Sequence, residues 1–381
     1  MKILISPTFL VTKKYLTSFT DNILINLLKL KKSHKIELIN GELNHYGEIS
    51  KILGKDNVFY LDEIHPIYLK DYCINYFRDK NNQKLIESYP SNFNFDIQKY
   101  ISIEDVLEKK QRFDFAIFSV KSFEKNFKII DFLKSINTKI AMFDKLDDQE
   151  IYFKDKNFKI ADNYKFKYDI IFKQDIPIYN TESNVFPIAP IPCVLQSNYS
   201  NKNNNNFKSY NFYFSGDYRK NITRKDRFDI IEFIKKEFSQ SSINITTGRK
   251  SFFSKNDQDI FLNNSKINIS PSGKVWDSYR HCELANYNSP ILLPKSNCKV
   301  VPGEFEDMKN CIIYETEIIN NEFVITNLDN LREKISSVLK DDFIRKQLFD
   351  NYLNLIKNYH TRYKRSEYIV NILKNFENKS Y

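Results

Sequence analysis

The sequence predicts an α/β protein of two lobes, each built on a parallel sheet, followed by a helical C-terminal tail. Short apolar runs alternate with helix-length amphipathic segments, the alternation restarts after an asparagine-rich break, and the last fifty residues carry helical periodicity throughout. At 381 residues the chain exceeds the ~250–300 residues at which one hydrophobic core stops growing. Two domains follow.

Lys2-Ile3-Leu4-Ile5 reads as a buried strand, residues 19–30 as an apolar-periodic helix and 35–39 as a second strand closing on Asn40-Gly41. Residues 54–111 carry no clear pattern. Strand, helix and strand then follow at 113–119, 123–136 and 139–144, with a short apolar run at 168–172. Such alternation puts helices on both faces of a parallel sheet. Pro187, Pro190 and Pro192 keep the next stretch extended, and 196–210, with Asn203 to Asn206 in a row, is a polar linker unable to bury a core.

Beyond the linker the pattern restarts. Strands are expected at 211–214, 243–246, 266–269 and 290–293, helices at 227–238 and 276–287, and turns at Ser215-Gly216 and Gly248. The tail, 331–376, places Ile335, Val338, Leu339, Phe343, Leu348, Leu353, Ile356, Ile369 and Ile372 at candidate core positions. The predicted divisions are 1–195, 196–210, 211–330 and 331–381.

Composition narrows the class. Hydrophobic residues make up 41% and aromatics 15%, enough to exclude a disordered chain. Five scattered cysteines without Cys-x-x-Cys point to a reducing compartment and no zinc site. No apolar run reaches the length of a signal-peptide core or a membrane span, so a cytoplasmic protein is expected. The net charge of +10 favours anionic partners, although lysines spread over every solvated face give the same sum. Residues 357–365, basic and rich in tyrosine, read either as a solvated face or as peripheral contact with the inner membrane.

In open α/β sheets a ligand sits beyond the carboxyl ends of the strands. The strand ending near Ile269 delivers Ser270-Pro271-Ser272-Gly273 there, a tight turn expected to open straight into a helix. Backbone N–H groups, the helix dipole, the Ser272 hydroxyl and Lys274 together favour a phosphate. Asp277, Arg280 and Glu283 recur at three-residue spacing along one side of that helix. Arg280 suits a phosphate and Glu283 vicinal hydroxyls; an Asp-Arg-Glu salt-bridge ladder is the plain alternative.

The stretch from Ser265 to Leu293, with Ser270-Pro271-Ser272-Gly273, Asp277-Ser278-Tyr279-Arg280-His281-Cys282-Glu283 and Pro290-Ile291-Leu292-Leu293, resembles the donor-binding motif of exostosin-like and family 1-like bacterial GT-B glycosyltransferases. The resemblance implies two Rossmann-like lobes, an acceptor-side lobe over 1–195 and a nucleotide-sugar lobe over 211–330. It implies a glutamate holding the donor ribose or sugar, matched by Glu283, and an arginine before it, matched by Arg280. Phe212 to Asp217, followed by Arg219, Arg224 and Arg227, resembles the family's glycine-bearing loop, which brings Gly216, Arg219 and Lys220 to the donor phosphates. Two positions depart from the pattern. Val275 stands where many retaining members carry a second glutamate, and Asn288 replaces a glycine, in a turn where asparagine tolerates the left-handed conformation.

For a general base the first lobe offers the cluster Asp144 to Asp148, of which Asp144 and Asp148 are the candidates at a strand end, and His45 after the second strand. An ordinary solvated turn is the competing account of the aspartates. No Asp-x-Asp motif stands at a suitable strand end, so neither a metal nor a resident cofactor is implied. The expected activity is transfer of a sugar from a nucleotide-sugar to a hydroxyl of a saccharide or lipid-linked glycan, in cell-surface polysaccharide or lipopolysaccharide synthesis. The alternatives are a protein of the same fold that binds nucleotide-sugar or glycan without turnover and, more distantly, a basic nucleic-acid binder, for which no motif is present.

Overall fold

The computed structural model describes residues 1–6, 48–62, 100–119, 127–144, 168–174, 176–178, 183–188, 195, 210–216, 224–238, 243–246, 255–273, 276, 278, 280–320 and 322–378. The expected helix at 19–30, the strand at 35–39, the Gly248 turn and the linker, apart from Tyr210, lie outside the described residues.

Among the described residues eight strands precede residue 195: β1 (Ile3–Ser6), β2 (Val58–Asp62), β3 (Tyr100–Ser102), β4 (Phe115–Ser119), β5 (Lys139–Asp144), β6 (Ile170–Lys173), β7 (Ile176–Pro177) and β8 (Val185–Pro187). Seven of them form one sheet, ordered β3-β2-β1-β4-β5-β6-β8, with every pair parallel. Because both faces of a parallel sheet are covered, its strands read as unbroken apolar runs. Alternate residues serve opposite faces. Leu4, Ala116, Phe118, Ile140, Met142 and Ile171 pack with Val106 of α1 (Ile103–Glu108) and with Ile129, Ile130 and Leu133 of α2 (Phe127–Ser135). Ile3, Ile5, Phe115, Ile117, Phe143 and Phe172 face the other way. Helix α2 stops at Asn137, whose φ of +63° lets the Thr138 N–H reach back to the Leu133 carbonyl.

The second lobe restarts the pattern with β9 (Tyr210–Ser215), α3 (Lys225–Glu237), β10 (Ile243–Thr246), α4 (Lys255–Asn263), β11 (Ser265–Ile269), the single turn α5 (Arg280–Glu283), β12 (Ile291–Pro294), β13 (Cys298–Lys299), β14 (Ile312–Ile319) and β15 (Glu322–Thr326). The sheet order is β10-β9-β11-β12-β14-β15, parallel except for the final antiparallel pair. Ile230, Ile231 and Ile234 of α3, with Leu331, Ile335 and Val338 of α6 (Leu328–Lys340), cover one face. The other face carries Trp276, Leu284 and Leu293 together with Tyr352 and Ile356 from the tail.

The predicted helical tail is present: α6, α7 (Asp342–Leu355), a π turn at Ile356–His360, and α8 (Arg362–Asn378). Asp341 caps α7, accepting from the Phe343 and Ile344 N–H groups at 2.8 and 3.2 Å. Of the tail's candidate core residues Phe343 is the exception, 74% exposed in the first turn after that cap. Helix α8 returns to the first lobe, where Ile369, Val370 and Leu373 complete the core beneath Ile3, Ile5 and Phe115. In the basic stretch 357–365, Lys357, Tyr359 and Tyr363 are exposed whereas His360 and Arg365 are buried.

A second link joins the lobes. β7 follows the carboxyl end of β6, β13 follows that of β12, and the two pair antiparallel, Cys298 with Pro177 and Lys299 with Ile176. The carboxyl edges of the two sheets are therefore stitched to each other.

Candidate donor site

A doubly wound sheet has a crevice where successive strands depart in opposite directions from a central pair. In the second sheet β9 leads outward to β10, and the chain then returns to β11 on the other side, which puts that switch point between β9 and β11. Gly216 follows β9, and Ser270 to Gly273 follow β11. Topology thus brings together two of the predicted turns that lie more than fifty residues apart.

Arg227, in the first turn of α3, lies between them. Its Nη1 donates to the Ser272 carbonyl at 3.4 Å, its guanidinium sits 5.4 Å from the Phe214 ring, and a methyl built on Gly216 would lie 2.6 Å from its Nη2. Ser272 is fully buried, and its hydroxyl makes no hydrogen bond. Gly273, by contrast, borders open space: a methyl there meets nothing within 4 Å. Arg224 is committed elsewhere, gripping the buried Asp226 through Nε and Nη2 at 2.9 and 3.0 Å and lying 3.5 Å over the Phe323 ring.

The helix expected at 276–287 is not formed. Among the described residues of that span only Arg280–Glu283 is α-helical, followed by a 3-10 turn at Leu284–Asn286. One turn has too few aligned peptides to carry an effective dipole, so among the described residues the anion-attracting donors near Gly273 are backbone and arginine groups. Sequence periodicity missed this because Trp276 and His281 are fixed by tertiary contacts. The Ser270 hydroxyl lies 2.8 Å from His281 Nδ1, and His281 Nε2 lies 2.8 Å from the Trp276 carbonyl. A carbonyl only accepts, so Nε2 carries the proton and Nδ1 accepts from Ser270. Trp276 is itself held by its indole N–H on the Pro294 carbonyl at 2.9 Å. Burial, helped by the charges of Arg224 and Arg227 and opposed by the bond to Trp276, holds the His281 pKa down at about 4.

Arg280 and Glu283 do meet, Nε to Oε2 at 3.4 Å, with side chains 25% and 40% exposed. Glu283 Oε2, the oxygen that faces Arg280, is occluded and makes no hydrogen bond. Asn288 does not use the left-handed conformation expected of it; it is not among the positive-φ residues. Lys274, Asp277, Arg219, Lys220, Asp148 and His45 lie outside the described residues.

Asp144 ends β5, as expected, but it is no solvated turn. It is 1% exposed and ion-paired at 3.3 Å with Lys173, fully buried at the end of β6, its register partner. The first sheet's switch point lies between β1 and β4, so Asp144 also stands one strand away from it. A carboxylate shut in against a lysine is badly placed to collect a proton from an acceptor. Two functional candidates were not assigned from the sequence: Arg227, legible only as a basic residue in a helix start, and His281, for which no local pattern exists.

Comparison by sequence finds no matching family model and no matching curated protein. By structure, a glycosyltransferase from Rickettsia africae is similar at a TM-score of 0.51 and 10% identity, over 98% of both chains. Anabaena Alr3699/HepE in complex with UDP-glucose aligns at a TM-score of 0.49 and 10% identity, over 98% of this chain and 100% of that one. A chain of the GtfA/B complex aligns at a TM-score of 0.48 and 9% identity over 72% of this chain, which spans only 60% of that chain's length. The chain has the GT-B fold of glycosyltransferases: two Rossmann-like α/β lobes joined at their carboxyl edges, with a helical tail that returns to the first.

Proposed function

We propose that the protein is a glycosyltransferase that moves a sugar from a nucleotide-sugar to a hydroxyl of a saccharide or glycoconjugate. The observation that carries the reading is the convergence, at the switch point of the second sheet, of Gly216, the Ser270 to Gly273 turn and Arg227, with the Arg280–Glu283 pair on the turn that follows. Open space at Gly273 gives a diphosphate room to approach the backbone, and Arg227 and Arg280 supply charge. Charge grows on the departing diphosphate in the transition state, so donors fixed beforehand lower the barrier without reorganising. Glu283, its side chain 40% exposed, holds the ribose or sugar hydroxyls.

In this reading Glu283→Ala and Arg280→Ala each lose most transfer activity while staying folded. Near-normal turnover of a defined donor by either variant would remove the site assignment. The chain's place in cell-surface polysaccharide or lipopolysaccharide synthesis, on the cytoplasmic side, belongs to the same proposal. Exposed Lys357, Tyr359 and Tyr363 support peripheral contact with a membrane surface, and among the described residues no helix is long and apolar enough to cross one.

A second reading rests on Asp144: with that carboxylate buried against Lys173, the first lobe offers no accessible base among the candidates described. A protein that binds nucleotide-sugar without turnover would behave this way. A thermal-shift panel of nucleotide-sugars, with UDP-glucose first, followed by product analysis across saccharide acceptors, separates the two. A shift with product supports transfer, a shift without product supports binding alone, and no shift with any nucleotide removes both.

A further inference from the structure

Between β11 and α5, the described residues Ser270 to Gly273, Trp276 and Ser278 belong to no helix or strand. A segment of this kind, if left loose, would pay its ordering entropy each time a ligand bound, at about 1–2 kcal/mol per residue. Its two ends are instead bridged by one side chain.

We propose that His281 is the positioning residue of the donor loop, strapping the Ser270 hydroxyl at the end of β11 to the backbone carbonyl of Trp276 and thereby fixing where Gly273 meets the nucleotide diphosphate. The inference rests on the nucleotide-sugar reading and adds to it a residue whose part is played through others. Imidazole suits the task because one rigid ring offers an acceptor at Nδ1 and a donor at Nε2. Both are engaged at 2.8 Å. The ring is held from its own side as well: the Tyr352 hydroxyl donates to the His281 carbonyl at 2.6 Å, and the Trp276 and Phe305 rings lie 5.0 and 6.3 Å from it. Trp276 in turn is tied to the end of β12 through Pro294. The strap thus connects the site turn to two strands of the sheet and to α7.

A serine and histidine at this distance also have the look of a nucleophile and its base. The surroundings oppose that role. Ser270 is fully buried and His281 is 1% exposed, so no substrate reaches the hydroxyl, and the proton on Nε2 is committed to a carbonyl. Burial keeps the ring neutral and preserves the tautomer that the strap needs.

Trp276 is the only tryptophan in the chain, so its emission reports on this loop directly. Ser270→Ala and His281→Gln cut the strap from opposite ends, and Ser270→Ala, which removes a single oxygen, is the variant expected to fold in every case. Binding of UDP is measured by calorimetry alongside acrylamide quenching of Trp276. Losing one positioning hydrogen bond weakens UDP binding about tenfold and raises the KM for the nucleotide-sugar equally, with kcat at saturating donor within about twofold, while quenching of Trp276 increases. Unchanged UDP affinity in Ser270→Ala, whatever happens to its melting temperature, overturns the positioning role and leaves the nucleotide-sugar reading intact. Failure of the unaltered protein to bind UDP or any other nucleotide overturns both.

Discussion

Two ion pairs, one in each lobe, treat charge in opposite ways. In the first lobe, Asp144 and Lys173 close on one another at 3.3 Å and vanish from solvent. In the second lobe, Arg280 and Glu283 stay partly exposed and Gly273 faces open space. A sealed ion pair spends its charge on the protein itself. The open pair keeps its charge within reach of solvent, and the proposed donor site draws on that contrast rather than on the mere presence of charged residues at strand ends.

The largest effect should come from splitting the sealed pair. Lys173→Met leaves a buried carboxylate uncompensated and is expected to destabilise the fold by about 3–5 kcal/mol, read by denaturant unfolding. Replacing both partners, Asp144→Leu with Lys173→Met, should recover most of that loss. The same operation on the exposed pair, Arg280→Met, should cost no more than about 1 kcal/mol. Equal losses at the two pairs would erase the distinction.

Acid should act next, and on the second lobe. His281 has a folded pKa of about 4 against 6.5 for the free side chain. His360 lies well below 6.5 for the same reason, burial, reinforced by Arg365 and opposed by its bond to the Gly303 carbonyl. Above pH 6.5 both are neutral whether the chain is folded or not. As pH falls from 6.5 towards 4, the unfolded chain takes up protons that the folded chain refuses, so stability is lost through that window, by about 3 kcal/mol for His281 alone. A melting temperature followed from pH 7 to 4 tests this. A flat profile in that window would contradict the burial of these rings.

Arg227→Met removes a donor reaching the site turn, and a lost hydrogen bond to a charged group is worth about 1.5–3 kcal/mol. UDP affinity by calorimetry should fall about ten- to hundredfold, beyond any loss of melting temperature from the unpaired Ser272 carbonyl. The smallest effect on stability belongs to Gly273→Ala: the added methyl meets nothing, and φ there is not in the left-handed region. Unfolding free energy should move by less than about 0.5 kcal/mol while UDP binding weakens, because the methyl occupies the space the ligand needs.

Much of this architecture was legible along the chain. Lys139 to Asp144 and Ile291 to Leu293 read as buried strands because a parallel sheet covered on both faces demands apolar residues without interruption. The tail was legible through its period, and Phe343 misread it because periodicity cannot tell a first turn beyond a cap from the core behind it. Residues 54–111 were illegible because β2 and β3 are short strands whose identity comes from pairing with β1 and with each other.

By itself, then, the sequence determined the two α/β units, the tail, and the stretch from Ser270 to Glu283 as the place to look, since each depends on local propensity or on neighbours within a few residues. Tertiary structure decided what those residues do. It placed Gly216 beside the Ser270 turn through strand order, reduced the expected helix to one turn by tying Trp276 and His281 to distant atoms, and paired Asp144 with a lysine on the next strand. These outcomes rest on contacts between residues far apart in the chain, whose energies exceed the local preferences that a linear reading measures.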